Sequence, residues 1–99
     1  MDIATVCADF DGQVWQDHAD VGIRERFAVR PTNTGEIRIT LQLDGLPEDD
    51  TECVVVRLVA GCASVECPPL CTGFSDAALR LSALLAVAAR LMDQLEGNR

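Results

Sequence analysis

Two stretches in the first half of the chain alternate between apolar and polar residues. In residues 23–30 the positions on one side are mainly apolar: Ile23, Glu25, Phe27 and Val29. The positions on the other side are mainly basic: Arg24, Arg26, Ala28 and Arg30. Residues 36–43 repeat the pattern with Ile37, Ile39, Leu41 and Leu43 on the apolar side. A period of two is typical of half-buried β-strands, so two such strands are predicted here.

Three further segments complete a predicted sheet. Residues 3–8 read as a short strand, with Asp11-Gly12 as a hairpin turn and Val14-Trp15 as the start of the return strand. Residues 16–22 are polar and are predicted to form a loop. Residues 53–60 are rich in β-branched side chains, which favours a strand covered on both faces for part of its length. The sequence therefore predicts a mostly antiparallel sheet of three to five strands over about residues 3–60.

The last part of the chain predicts one long helix. Ser75 is a suitable N-cap, Gly97 a suitable stop, and the helix is expected over about residues 76–96. Its apolar stripe is wider than the roughly 100° that packing on one sheet requires. We therefore expect a second subunit or a loop on its flank, with Leu84, Val87 and Leu91 as contact residues. The predicted fold is a single α+β domain over residues 1–99: the sheet, a Cys-rich loop at 61–74 and the helix.

Charge and composition narrow the class of partner. The 99-residue chain has a formal charge of −8 and contains no Lys. An acidic surface repels nucleic acids and anionic membranes, which disfavours both as partners. The negative charge would itself be functional if the protein were an inhibitor that mimics a nucleic acid. The N-terminal residues have no signal-peptide pattern, and the longest apolar run in the C-terminal region is far below the ~20 residues of a membrane span. We therefore expect a cytoplasmic protein.

Three of the five cysteines lie close together, at Cys62, Cys67 and Cys71. Neighbouring thiolates can bind Zn²⁺ or act as a redox pair. A structural zinc site usually has four ligands, and the fourth would be Cys53, Cys7 or His18, with Cys53 as the first candidate. This loop could therefore be a zinc site, a regulatory thiol pair, or a set of inert thiols.

The segment Val6-Cys7-Ala8-Asp9-Phe10-Asp11-Gly12 resembles the nucleophile motif of haloacid-dehalogenase-type phosphatases. In that family an apolar strand delivers two aspartates, one as nucleophile and the other as acid and base. The resemblance covers about seven residues, and the chain lacks Lys and the β-α-β alternation of that fold. The single His18 has no nucleophile assigned to it by spacing. We therefore expect no catalytic activity and no bound cofactor other than the possible zinc.

The basic side of the predicted sheet includes Arg24, Arg26 and Arg38, which could contact an acidic partner, including another copy of the chain. Taken together, these patterns favour a small non-enzymatic, cytoplasmic interaction or regulatory protein. Its expected partners are a second copy, forming a homodimer, and another protein that the sequence does not identify. A thiol or zinc protein centred on the Cys loop is the first alternative, and the nucleic-acid mimic is the second.

Overall fold

The structure, a computed structural model, describes residues 2–47, 53–59, 62–67 and 75–97. The described residues form two helices and five strands. In chain order these are α1 (Ile3–Phe10), β1 (Val14–His18), β2 (Ile23–Pro31), β3 (Ile37–Leu43), β4 (Val54–Val59), β5 (Cys62–Glu66) and α2 (Ser75–Gly97).

The five strands form one curled antiparallel sheet in which every strand pairs with its neighbours in the chain, in the order β1-β2-β3-β4-β5. Both helices pack on the same apolar face of this sheet, and α1 also packs against α2. The core combines the inward residues of β2, β3 and β4 with one stripe of each helix. Its most completely buried large side chains include Ile37, Ile39, Val54, Leu84 and Leu91. The predicted α+β class is confirmed.

The predicted strand at residues 3–8 is wrong, because this segment forms helix α1. Asp2 caps the helix, since its side chain accepts a hydrogen bond from the Ala4 amide at 3.3 Å. The buried residues Val6, Cys7 and Phe10, together with Ile3, follow the spacing i, i+3, i+4, i+7 of an amphipathic helix. Residues 3–8 are almost all apolar, and a short apolar segment does not distinguish a strand from a helix by its period.

Three loop and turn predictions also need correction. The segment 16–22 was predicted as loop, but β1 continues through His18 and pairs with β2, leaving a turn at residues 19–22. Asp11-Gly12 is a turn from α1 into β1, and not a hairpin turn between strands; Gly12 adopts a positive φ of 83° there. In the predicted Cys-rich loop, residues 62–66 form strand β5 against β4. Residues 68–74 of that loop lie outside the described residues.

Candidate interaction surfaces

The two edges of the sheet are protected to different degrees. At one edge, the β1 pairing contains an irregularity between Val14 and Gln16, and Asp17 and His18 follow it. Bulges and charged residues are devices that keep an edge strand from pairing with another chain. At the other edge, β5 pairs with β4 in a continuous register and carries a single charged residue, Glu66. Among the described residues no strand covers the outer side of β5, so this is the open edge of the sheet.

An apolar groove runs beside the open edge, between β5 and α2. Its volume is about 400 Å³. The lining residues that are apolar are Val65, Leu85, Ala88, Ala89 and Met92, and two acidic residues, Asp93 and Glu96, complete the lining. Val65 is 42 % exposed even though it lies on the helix side of the sheet, because the sheet ends at β5. The open edge and the groove thus form one continuous surface.

The predicted contact residues of α2 face the wrong way for a partner. Leu84, Val87 and Leu91 are 1 %, 1 % and 0 % exposed, so they belong to the core of this chain and cannot contact a second subunit in the folded state. The reason is that α2 is covered on two sides, by the sheet and by α1. The wide apolar stripe that indicated a partner is therefore largely accounted for by α1, which the sequence prediction had assigned as a strand.

The arginine residues lie mostly on the outer face of the sheet, as expected, and several pair with carboxylates there. Arg26 bonds Asp44 at 3.0 Å and the Gly12 carbonyl oxygen at 3.0 Å, whereas Arg24 lies 3.8 Å from Asp17. Arg57 similarly contacts both Glu36 and Glu66. These ion pairs neutralise much of the positive charge on this face of the sheet. The role of Arg24, Arg26 and Arg38 in binding a partner stays a prediction.

Sequence reasoning missed a buried ionic cluster that links the sheet to α2. Glu25 is 3 % exposed, and its two carboxylate oxygens contact different side chains. Oε2 accepts a hydrogen bond from the Arg80 guanidinium of α2, and Oε1 lies 3.5 Å from His18 Nε2. The same guanidinium lies over the Trp15 ring, 5.7 Å from its centroid. The signal was present in the sequence, since Glu25 occupies an inward position of an alternating strand, and a buried charge requires a partner.

The cysteines divide between the two ends of the β4–β5 hairpin. Cys62 begins β5 and Cys67 follows its last residue, so an extended strand separates their α-carbons by about 16 Å. Cys53 directly precedes β4, and Val55 pairs with Glu66. Continuing that register by one residue places Cys67 opposite Val54, beside Cys53. Cys71 lies outside the described residues, and the described residues contain no group of three or more metal-binding side chains. The zinc site therefore stays a prediction. Cys53 and Cys67 lie at one end of the β4–β5 hairpin and Cys62 lies at the other.

Among the cysteines that the structure describes, Cys7 is the one whose pKa is clearly shifted. It is buried in the core on α1, and desolvation raises the pKa of its thiol, with the negative charges of Asp11 and Asp2 acting in the same direction. The thiolate is the nucleophilic form of cysteine, so Cys7 is held in its inert form. Cys62 and Cys67 are exposed by comparison.

The aspartates that resemble a phosphatase motif occupy a different setting in this fold. Asp9 lies in α1 and is exposed, whereas the phosphatase motif places its nucleophile at the end of a strand. Asp11 Oδ1 accepts a hydrogen bond from the Val29 amide at 2.9 Å, which ties the α1–β1 turn to β2. This hydrogen bond gives Asp11 a structural role.

Comparison with known proteins leaves the chain without an assigned relative: no family model, curated protein or solved structure matches it. Neither of the helices in the described part of the chain combines the length and apolar character needed to cross a membrane.

Proposed function

We propose that this chain is a small, non-enzymatic cytoplasmic interaction protein that self-associates through the β5 edge and the adjoining groove on α2. The observation that carries the proposal is the contrast between the two sheet edges. The β1 edge has an irregularity and charged residues, whereas the outer side of β5, which no strand of the described residues pairs, lies beside an apolar groove. A strand edge of this kind is a template for pairing with another strand.

A second copy pairs with this edge without placing one carboxylate opposite another across the strand ladder. Antiparallel pairing of β5 with itself around Ser64 is two-fold symmetric, as is usual for homodimers. It sets Glu66 opposite Cys62 of the second copy and Val65 opposite Ala63, so no carboxylate faces another across the new ladder. Glu66 is also paired with Arg57 at 2.7 Å within its own chain. The two α2 grooves would then lie on the same side of a continuous ten-strand sheet.

The test is the oligomeric state of matched edge variants. Val65 and Val14 are both exposed valines on edge strands, 42 % and 47 % exposed respectively. Sedimentation or light scattering on the order of 100 µM, where even weak specific interfaces are populated, should show a dimer for the wild type. Val65→Lys should be a monomer because it adds a charge to the open edge, and Val14→Lys should remain a dimer.

Two results would contradict the proposal: a strictly monomeric wild type, or dissociation by both lysine variants to the same extent. Circular dichroism of each variant establishes that the fold is retained.

A second expectation, the effect of salt on dimerisation, separates this surface from a purely ionic one. Asp93 and Glu96 line the groove, so like charges approach one another in the dimer. Added salt should therefore strengthen association by screening.

A second candidate function, a reversible thiol pair or zinc ligand set, is favoured by the position of Cys53 beside Cys67. Both lie at the same end of the β4–β5 hairpin, on residues just outside the paired strands; the register extended by one residue sets their side chains on opposite faces, so a disulfide requires this end of the hairpin to twist. Treatment with hydrogen peroxide would oxidise the two thiols to a disulfide while the peroxide is reduced to water. Peptide mapping of the oxidised protein should then find Cys53 joined to Cys67. Cys62→Ser should leave this link intact, and a product joining Cys62 to Cys67 would refute the assignment.

A further inference from the structure

The outer face of the sheet contains a depression between β2 and β3, on the side away from the helices. Its floor is the cross-strand pair Ala28 and Thr40, and its rim includes the next pair on the same face, Arg30 and Arg38. The β2–β3 turn forms a further wall through Thr32 and Asn33. The depression exists because a small residue, Ala28, stands in the row of long side chains between Arg26 and Arg30.

Hydrogen-bond donors line this depression. Arg30 and Arg38 face each other across the ladder, which brings two guanidinium groups to the same rim. Both residues already interact elsewhere in the protein, but each guanidinium carries several N–H donors and can bond a ligand as well. Thr40 is 2 % exposed, and its Oγ1 is the buried side-chain oxygen for which the described residues supply no hydrogen-bond partner.

We propose that this depression binds a phosphate group, carried by a small molecule or free in solution. Guanidinium groups match the spacing of phosphate oxygens and bond them in pairs, and such charge-assisted bonds are among the strongest in proteins. The Thr40 hydroxyl supplies a donor to an oxygen that reaches the floor. The volume, about 330 Å³, is at the lower end of small-molecule pockets, so a phosphate ester fits as well as the bare ion.

The overall charge of −8 opposes anion binding only at long range. At physiological ionic strength, exposed charges are screened over about 8 Å. Several outer-face carboxylates are already engaged with arginines other than this pair: Asp17 with Arg24, Asp44 with Arg26, and Glu36 with Arg57. These carboxylates lie with other arginines, and the rim of the depression presents N–H donors of Arg30 and Arg38 beside the interactions that both residues already make.

The experiment titrates inorganic phosphate into the isotopically labelled full chain and follows the amide signals of Ala28 and Thr40 by NMR. Chloride is varied in the opposite sense to keep ionic strength constant. Saturable shifts are expected. Arg38→Gln should weaken binding about tenfold or more, the value of a lost charge-assisted hydrogen bond. Arg24→Gln is the matched control, because Arg24 is also on the outer face but outside the depression, and it should change the affinity less than about twofold.

Thr40→Val separates a binding role from a structural one. It removes a hydroxyl that has no partner among the described residues, so it should leave the thermal midpoint unchanged or raise it while weakening phosphate binding about threefold. Glycerol 3-phosphate should saturate the same signals, and glycerol should not. The proposal fails if phosphate gives no saturation up to about 50 mM (a weak-binding limit), if acetate saturates equally well, or if Arg38→Gln and Arg24→Gln weaken binding equally.

Discussion

Replacing Arg80 with methionine tests whether the buried ionic cluster holds α2 on the sheet. The substitution retains much of the apolar stem but leaves the Glu25 carboxylate, 3 % exposed, without its guanidinium partner. Removing one member of a buried ion pair typically costs about 3–5 kcal/mol, because the remaining charge stays desolvated. Here we expect the lower end, about 3 kcal/mol, because the Arg80 side chain is 22 % exposed and His18 Nε2 remains 3.5 Å from Glu25.

The loss expected for Arg80→Met would be a large part of the total free energy of unfolding, which is roughly 5–15 kcal/mol for a domain of 99 residues. It includes the contact of the guanidinium with Trp15, worth about 0.5–1 kcal/mol at 5.7 Å from the ring centroid. The double variant Glu25→Gln with Arg80→Met removes the orphaned charge. The double variant should be more stable than Arg80→Met alone, so the interaction energy from the double-mutant cycle should show that the two side chains stabilise each other.

The assay is urea unfolding, followed by circular dichroism as well as by the fluorescence of Trp15, since the substitution changes the surroundings of that indole. Arg24→Met is the matched control: Arg24 and Asp17 form an ion pair at 3.8 Å, with both side chains more than half exposed. An exposed pair of this kind contributes about 0–1 kcal/mol. If Arg80→Met costs less than about 1 kcal/mol, or no more than Arg24→Met, the cluster does not anchor the helix.

Two further predictions concern the core. Leu91→Ala should cost about 2–5 kcal/mol in urea unfolding, because Leu91 is fully buried, whereas Leu79→Ala, at 60 % exposure, should cost less than about 0.5 kcal/mol; equal losses would contradict the orientation of α2. Because the pKa of Cys7 is raised in the folded chain, its contribution to stability is complete below the ordinary thiol pKa and decreases as the pH rises through the folded value. The free energy of unfolding, measured at increasing alkaline pH, should therefore show a loss that Cys7→Ala removes; a loss that is unchanged in Cys7→Ala would assign it to another group. Cys62, which is exposed, should also react with iodoacetamide faster than the buried Cys7.

The sequence predicted the strongly periodic elements and failed where no period is evident. Strands β2 and β3 alternate over seven or more residues, and α2 has a long apolar stripe between Ser75 and Gly97, so each was predicted close to its observed bounds. Helix α1 has eight residues, of which the first six are almost all apolar, and such a short apolar segment shows the period of neither a helix nor a strand. That one error had a second effect, because the apolar flank of α2 that α1 covers was taken for a subunit interface.

The candidate surfaces were predicted less well, because they depend on contacts between distant segments. The outward direction of the arginines follows from alternation, but their pairing with Asp17, Asp44 and Glu36 depends on strand register. Glu25 was correctly placed on the inward side, yet its partner Arg80 is 55 positions away. No local pattern connects two residues at that distance. The groove beside β5 likewise exists only because α2 returns to the far edge of the sheet.

The order of the elements has a consequence for synthesis on the ribosome. All five strands precede α2, and each strand pairs with the one before it, so the sheet can assemble as the chain emerges. Its apolar face nevertheless stays uncovered by α2 until the 23 residues of that helix have followed, which takes a few seconds at roughly 5–20 residues per second. During that interval the nascent chain exposes the apolar face of the sheet, and a chaperone that binds exposed apolar surfaces would act at this stage.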